Sequence, residues 1–352
     1  MTFAHILLQW FEENKRKLPW RNETDPYKIW VSEVILQQTR VVQGIDYYHN
    51  FIAHFPNVNA LAAAPESEVL KVWQGLGYYS RARNMHVAAQ TIANEHLGIF
   101  PHHYDEIRKL KGIGDYTAAA IASIAFNLPY PAIDGNVLRF ISRYFGIFDN
   151  IALNKTRKFI VEKCRTLILP DEAGTFNQAM MEMGATQCTP QHPHCENCPF
   201  QSSCFASIHQ QVENLPFKQH NITIKNRYFN YLFFIHQQKT VIQQRTANDI
   251  WNNLYELPLV ETPTAEFDIH SFIQQQNIVC EDDPKMAWET KHILTHRNIF
   301  AKFFVLPVTK IPKLTQNQIV IDLKDFKKFP VAKITERFMM RLGELKSNIT
   351  II

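Results

Sequence analysis

The first two hundred residues place their apolar side chains on a helical period. Phe3, Ile6, Leu7, Trp10 and Phe11 fall at i, i+3, i+4, i+7 and i+8, one apolar face of an amphipathic helix. Pro19, Trp20 and Arg21, then Asp25 and Pro26, interrupt the pattern. A longer helical stretch is expected from 27 to 55, ending before Pro56. Further helices are expected at 65–73, 80–96, 115–126, 136–147, 155–168 and 171–185, separated by Gly, Pro and Asn. Beyond residue 204 the period changes. Residues 207–222 carry little periodicity, and β-rich runs follow at 228–236, 240–244, 299–308 and 319–323, with helical patterns near 264–276 and 331–345. The chain therefore divides into a mostly α region at 1–205, a linker at 206–225 and a mixed α+β domain at 226–352.

A length of 352 residues suits two domains, and 46% hydrophobic with 20% charged residues is ordinary globular composition, which argues against disorder, collagen and coiled coil. No basic, apolar leader opens the chain, and no apolar run reaches the roughly 18 residues of a membrane-spanning helix. A cytoplasmic protein of a reducing compartment, without a membrane partner, is the expectation. The formal charge of +4 says little about partners. Residues 1–205 carry 19 Lys and Arg against 19 Asp and Glu, and residues 206–352 carry 18 against 14. Any affinity for nucleic acid must then come from local patches and backbone amides.

Chemistry gathers in three places. Four of the six cysteines, Cys188, Cys195, Cys198 and Cys204, form a Cys-x6-Cys-x2-Cys-x5-Cys loop at 188–204, whereas Cys164 and Cys280 stand alone as ordinary buried thiols. Four thiolates in a reducing compartment hold either a tetrahedral zinc ion or a cubane iron–sulfur cluster, and the spacing leaves both open, with His192 and His194 interleaved. Upstream, Leu110-Lys111-Gly112-Ile113-Gly114-Asp115-Tyr116-Thr117-Ala118 reads as a helix end, a tight Gly-x-Gly turn and a second helix. Gly112 and Gly114 let the backbone approach a DNA phosphate and aim the following helix amides at it. Twenty residues after Gly114, Asp134 precedes a helical pattern. It reads as an N-cap and, in the same position, as an ionised carboxylate able to face a cationic transition state.

The hairpin, the aspartate and the cysteine loop, in that order, resemble the helix-hairpin-helix DNA glycosylase superfamily in its 4Fe-4S branch, and within it the MutY type of adenine DNA glycosylase. The likeness spans essentially the whole chain, with the specific motifs in the first 205 residues. It implies a six-helix barrel with a cluster-bearing domain, followed by a Nudix-like domain. It also implies a 4Fe-4S cluster on the four cysteines and a monomer acting on double-stranded DNA that carries adenine opposite 8-oxoguanine or guanine. A bacterial-type protein associated with the nucleoid is the matching location.

The resemblance assigns roles. Bifunctional relatives such as endonuclease III carry a lysine in the hairpin that forms a Schiff base, and this chain has Tyr116 there, which implies a glycosylase without strand cleavage. The stretch from Trp30 to Val41 matches the MutY helix and makes Glu33 the proton donor to N7 of adenine, its pKa raised by apolar neighbours. Asp134 stabilises the oxocarbenium ion, Asn136 orients the carboxylates, and Tyr116 assists near the sugar. Arg21 is implied on the adenine side of the pocket. Gln38 and Thr39 are implied at the opposing base, and Leu76 and Tyr78 as wedges in the stack once the adenine is flipped out.

In the C-terminal half, residues 245–258 resemble the first motif of the MutY C-terminal domain, but no Arg-Glu-x-x-Glu-Glu metal motif accompanies them. Recognition rather than hydrolysis is expected. The family's Phe-Ser-His lesion-reading loop has Leu294-Thr295-His296 as its nearest match, which keeps a hydroxyl at Thr295 and loses the aromatic ring. Two other readings are an endonuclease III-like lyase, disfavoured by Tyr116, and a metal-stabilised DNA-binding module in which Glu33 and Asp134 are structural.

Overall fold

The computed structural model describes residues 1–219, 224–246 and 249–346. By the density of its internal packing the chain forms two units, one of residues 1–63 and 84–221, the other of residues 64–83 and 222–352.

The first unit is helical. Thr2 accepts from the His5 amide to cap the helix Phe3–Asn14, whose apolar face presents Leu7, Leu8 and Phe11 to a core. Phe140, Ile141, Ile160, Phe176, Met180 and Phe200 complete that core, each at most 2% exposed. Full burial of side chains of this size contributes roughly 1.5–3 kcal/mol apiece. The expected helix over 27–55 is in fact two, Pro26–Leu36 and Val41–His54. The break falls at Gln38, whose φ of 62° lies in the left-handed region that a helix cannot pass through. The hairpin joins the helices Tyr104–Lys109 and Asp115–Phe126. Gly112 turns it at φ 81°, where an added Cβ would also lie 2.5 Å from Asn84 Cβ. The helices Gly135–Phe145, Asn154–Arg165 and Ala173–Glu182 follow, the last running into a wider π-helical turn at Met183–Gln187.

The chain expected to act as linker is tied down as far as it is described. Phe205–Ile208 is a short helix, Leu215 is buried, and the carbonyls of Val212 and Leu215 accept hydrogen bonds from Arg143. Residues 220–223 of that expected linker lie outside the described residues.

Among its described residues the second unit contains seven strands: β1 (Lys225–Ile235), β2 (Lys239–Gln244), β3 (Tyr255–Glu256), β4 (Leu259–Thr262), β5 (Lys285–Leu294), β6 (Arg297–Pro307) and β7 (Gln318–Asp322). They form one sheet in the order β4-β1-β6-β5 and another in the order β3-β2-β7. The β1–β6 pair is parallel and the other pairs are antiparallel. Tyr231, Trp288, Phe303 and Phe338 stack to fill the interior beside the first sheet. The mostly helical region followed by an α+β domain agrees with the sequence pattern. The division differs in one respect, because residues 64–83 pack with the C-terminal unit, against its loops and last helix. Lys71 donates to the Phe329 carbonyl, Gln74 to Glu336, Tyr79 to the Val331 carbonyl and Arg83 to the Asn252 carbonyl. Among the described residues no helix is long and apolar enough to cross a membrane.

Candidate active site

Asp25 caps the helix Pro26–Leu36 by accepting from the Tyr27 amide, with Pro26 in the first turn, where its missing N–H does no harm. This helix is buried on nearly every side, from Tyr27 through Ile29 to Ile35. Glu33 therefore points inward, only 7% exposed. Tyr116, in the first turn of the second hairpin helix, donates its hydroxyl to Glu33 Oε2 at 2.5 Å and lies 3.3 Å from Met181 Sδ. Burial pushes the Glu33 carboxyl up to about 7 and the nearby charge of Asp134 adds to the rise, while Tyr116 and Arg21 pull against it. The same burial, with Glu33 and Asp134, lifts the Tyr116 phenol well above its ordinary value.

Asp134 caps the helix Gly135–Phe145. Its Oδ1 accepts from the Val137 amide at 2.8 Å and its Oδ2 from Asn136 Nδ2 at 2.7 Å. The cap geometry follows the sequence reading, but its electrostatics are less one-sided. Burial raises the Asp134 carboxyl above the usual aspartate value, and the donors at Val137 and Asn136, with the charge of Arg139, only partly offset that rise. Asn136 is fixed in turn, its Oδ1 accepting from Arg139 Nη2 at 2.9 Å. Arg139 also donates to the Gly184 and Cys188 carbonyls. Gly184 is there because a Cβ would lie 2.5 Å from the Asn136 carbonyl oxygen.

Glu33, Tyr116, Asp134 and Asn136 line one cavity of about 430 Å³, together with Arg21, Gln38 and Thr39. A volume of this order suits a small-molecule-sized group such as a single nucleobase with its sugar. Its wall holds a charged cluster of which motif reading had named only Arg21. Glu182, 2% exposed, accepts from Arg16 Nε at 2.6 Å, Arg16 Nη2 at 2.9 Å and Arg21 Nη2 at 2.6 Å, and Arg21 Nη1 donates to Gln178 Oε1. The only sequence signal for Glu182 was an acid at an otherwise buried position of the 171–185 pattern. Thr39 Oγ1 and Arg21 Nε are buried with no hydrogen-bond partner among the described residues.

The four cysteines are unpaired thiols that line one small pocket with Phe140, Phe200 and Val212. The Cys198 sulfur accepts from the Phe200 amide and the Cys204 sulfur from the amides of Ala206 and Ser207. Arg143 Nη1 approaches Cys188 Sγ at 3.4 Å. Such N–H donors favour thiolates, so the donor set and its apolar surround fit a thiolate-ligated iron–sulfur group. Among the described residues no group of three or more His, Cys, Asp or Glu side chains is disposed to hold a single metal ion.

The remaining expected residues lie elsewhere. Gly114 stands at the start of the second hairpin helix, open to any approach. Leu76 and Tyr78 belong to the segment that packs with the C-terminal unit. Leu76 is 8% exposed and withdrawn from the surface, whereas Tyr78, at φ 46°, is half exposed. Thr295 and His296 form the exposed two-residue turn between β5 and β6. Tyr78 and Thr295 meet, hydroxyl to hydroxyl, at 2.6 Å. In the 245–258 motif, Ala247 and Asn248 lie outside the described residues.

A hairpin helix and a capped aspartate converging on one nucleotide-sized cavity define a helix-hairpin-helix glycosylase, and comparison with known proteins agrees. Residues 31–166 match the HhH-GPD superfamily of base excision DNA repair proteins, and residues 230–341 match the NUDIX domain. An adenine DNA glycosylase of Buchnera aphidicola (subspecies Acyrthosiphon pisum) is 32% identical over 345 residues, covering 96% of this chain and 97% of that one. The Mus musculus adenine DNA glycosylase is 42% identical over 221 residues, 60% of this chain and 42% of its own. The chain belongs to the adenine DNA glycosylase family. Among solved structures, a thermostable thymine-DNA glycosylase superposes with a TM-score of 0.54 at 29% identity, covering 59% of this chain and 95% of its own. A trapped endonuclease III–DNA covalent intermediate, at 22% identity, a TM-score of 0.51 and the same two coverages, shares the fold.

Proposed function

We propose that the protein removes adenine mispaired with 8-oxoguanine or guanine in double-stranded DNA, by acid-assisted hydrolysis of the N-glycosidic bond. The observation that carries this reading is Glu33, held protonated to about pH 7 in a cavity that it shares with Asp134. With the adenine flipped into that cavity, the Glu33 proton passes to N7 and the C1′–N9 bond breaks, its electron pair leaving with the base. Asp134, on the same cavity wall, stabilises the positive charge left on the sugar, and water adds at C1′. Tyr116 offers a phenol where a Schiff-base enzyme needs an amine, which supports base release without strand cleavage. The Glu182–Arg21–Gln178 cluster supplies donors and acceptors for the polar edge of the base.

The four cysteines would hold a 4Fe-4S cluster, which would supply a covalent tie across the loop 188–204. The C-terminal unit reads the opposing base. Its acids Asp249, Glu256 and Glu261 are already engaged by Arg227, Arg245 and Arg297, which leaves them poorly placed to bind the metal of a Nudix hydrolase. Thr295, exposed at the β5–β6 turn, is suited to contact that base.

Single-turnover release of adenine from duplexes with 8-oxoguanine, guanine or thymine opposite tests the reading. Release is expected in the first two, with Glu33→Gln slower by 10²-fold or more, the scale of a lost general acid. Release at the wild-type rate by Glu33→Gln would sink the assignment. Thr295→Ala should narrow the preference for 8-oxoguanine over guanine, and an unchanged ratio would remove that residue from the reading.

A further inference from the structure

The hairpin of β5 and β6 turns through two residues, Thr295 and His296, and is closed by the pair Leu294 and Arg297. Two-residue hairpins match the twist of their strands when one or both turn residues take a positive φ. Neither Thr295 nor His296 does. Strand twist alone therefore does not fix where this turn sits, and the contacts around it decide. The His296 carbonyl accepts from the Lys225 amide at 3.1 Å, which ties the turn's backbone to the start of β1. The side chain that follows the turn is held as well, since Arg297 Nη1 donates to Asp249 Oδ1 at 2.8 Å.

Asp249 opens a loop, 249–253, that is closed on itself. The Arg245 amide donates to the Leu254 carbonyl, the Asn253 amide to the Arg245 carbonyl, and Arg245 Nε to the Ile250 carbonyl. Asp249 Oδ2 accepts from Arg227 Nη1 at 2.6 Å and from Arg245 Nη2 at 3.1 Å, so both oxygens of the carboxylate are committed and it cannot swing away from Arg297. Burial works against the Asp249 charge, but Arg227 and Arg297 hold its carboxyl below the usual aspartate range. From the same loop Trp251 sets its ring edge-on to His292 of β5 at 5.8 Å. The loop thus grips both strands of the hairpin, β5 at His292 and β6 at Arg297. Isolated surface ion pairs fix little, but here three arginines share one carboxylate that is 19% exposed.

We propose that Asp249 is a positioning residue for the Thr295 turn, acting through Arg297, and that it sets how strongly the opposing base is discriminated. The inference rests on the reading of Thr295 as a contact to that base. Asp249 touches no DNA in this role. It holds the root of β6, and the root of β6 holds the hydroxyl that meets the lesion.

The test is single-turnover adenine release by the full chain from duplexes with 8-oxoguanine or guanine opposite. Arg297→Ala leaves Asp249 paired with Arg227 and Arg245, and should narrow the 8-oxoguanine over guanine ratio by roughly 2- to 10-fold, the scale of one hydrogen bond. Asp249→Asn, with Arg297 intact, should narrow it alike. Arg297→Lys should recover part of the ratio, because an ammonium keeps the pair without the planar fork. In a Thr295→Ala background neither Arg297→Ala nor Asp249→Asn should narrow the ratio further, since the group being positioned is gone. An unchanged ratio in Arg297→Ala or Asp249→Asn, or a further loss of the same size in the Thr295→Ala background, would overturn the proposal. So would weaker binding of Arg297→Ala to every duplex with a salt dependence shallower by about one charge, the mark of an arginine on a phosphate. If Thr295→Ala narrows the ratio while Arg297→Ala and Asp249→Asn do not, the reading of Thr295 stands and the positioning role falls. If Thr295→Ala leaves the ratio unchanged, both fall.

Discussion

Glu33 shows at the residue scale how an inward-facing carboxyl is set against stability. Its carboxyl is raised to about 7 in the fold from an ordinary 4.5, so between those values the folded protein binds a proton that the unfolded chain does not. Stability falls as pH rises from below 4.5 through 7, and the loss is complete above that. Replacing Glu33 by Gln removes the titration while keeping the shape. The variant should therefore match wild type near pH 4 and exceed it at pH 8 by about 1–3 kcal/mol, read from urea unfolding at the two pH values. Equal stability at pH 8 would mean that the carboxylate is not strained there. Glu33 stood out in the sequence through the family match of the stretch from Trp30 to Val41, since a lone acid on an amphipathic helix is otherwise most often a surface residue. Glu182 did not, since its partners Arg16 and Arg21 lie more than 160 positions away and no local pattern joins them.

Among elements, the helix Gly135–Phe145 organises the most chemistry. Asp134 starts it, Arg139 fixes Asn136 one turn in, and Arg143 reaches the chain around the cysteines. Arg143 is 4% exposed and donates to the carbonyls of Thr189, Pro190, Val212 and Leu215. Alanine there would leave the buried Leu215 carbonyl and the three partly covered ones without their donor. A loss of roughly 3–5 kcal/mol in urea unfolding is expected, with lysine recovering little of it because one ammonium cannot replace a planar fork. A loss below about 1 kcal/mol would show that water satisfies the loop equally well. Element boundaries were less legible than elements. Gln38 hid the break in the expected 27–55 helix because glutamine carries no turn signal. β5 went unseen because it is an edge strand with Glu289, Lys291 and Ile293 exposed and a register shift between Met286 and Trp288, which blurs its alternation.

On the scale of the whole molecule, the two units are made from four stretches of chain, since 64–83 leaves the helical region to join the C-terminal unit. Nothing in its composition announces this. The segment reads as another amphipathic helix, and its partners lie far along the chain, among them Asn252, Asn253, Thr295, Phe329, Val331 and Glu336. A chain ending at residue 221 would lack every one of them. Hydrogen–deuterium exchange should then show residues 64–83 far less protected than in the full chain, with the helix Ala173–Glu182 little changed. Equal protection of 64–83 in both would mean that the segment folds on the helical unit alone.

That long-range packing also sets a schedule for synthesis. Residues 64–83 leave the ribosome well before Phe329 to Glu336 exist, and at about 5–20 residues per second the interval is roughly 10–50 s. Val69, Leu70 and Trp73, each at most 1% exposed in the finished protein, spend that time in a segment without its final partners. The nascent chain thus carries a sticky stretch near its beginning, and the yield of active enzyme depends on what shields those three side chains until the last helix arrives.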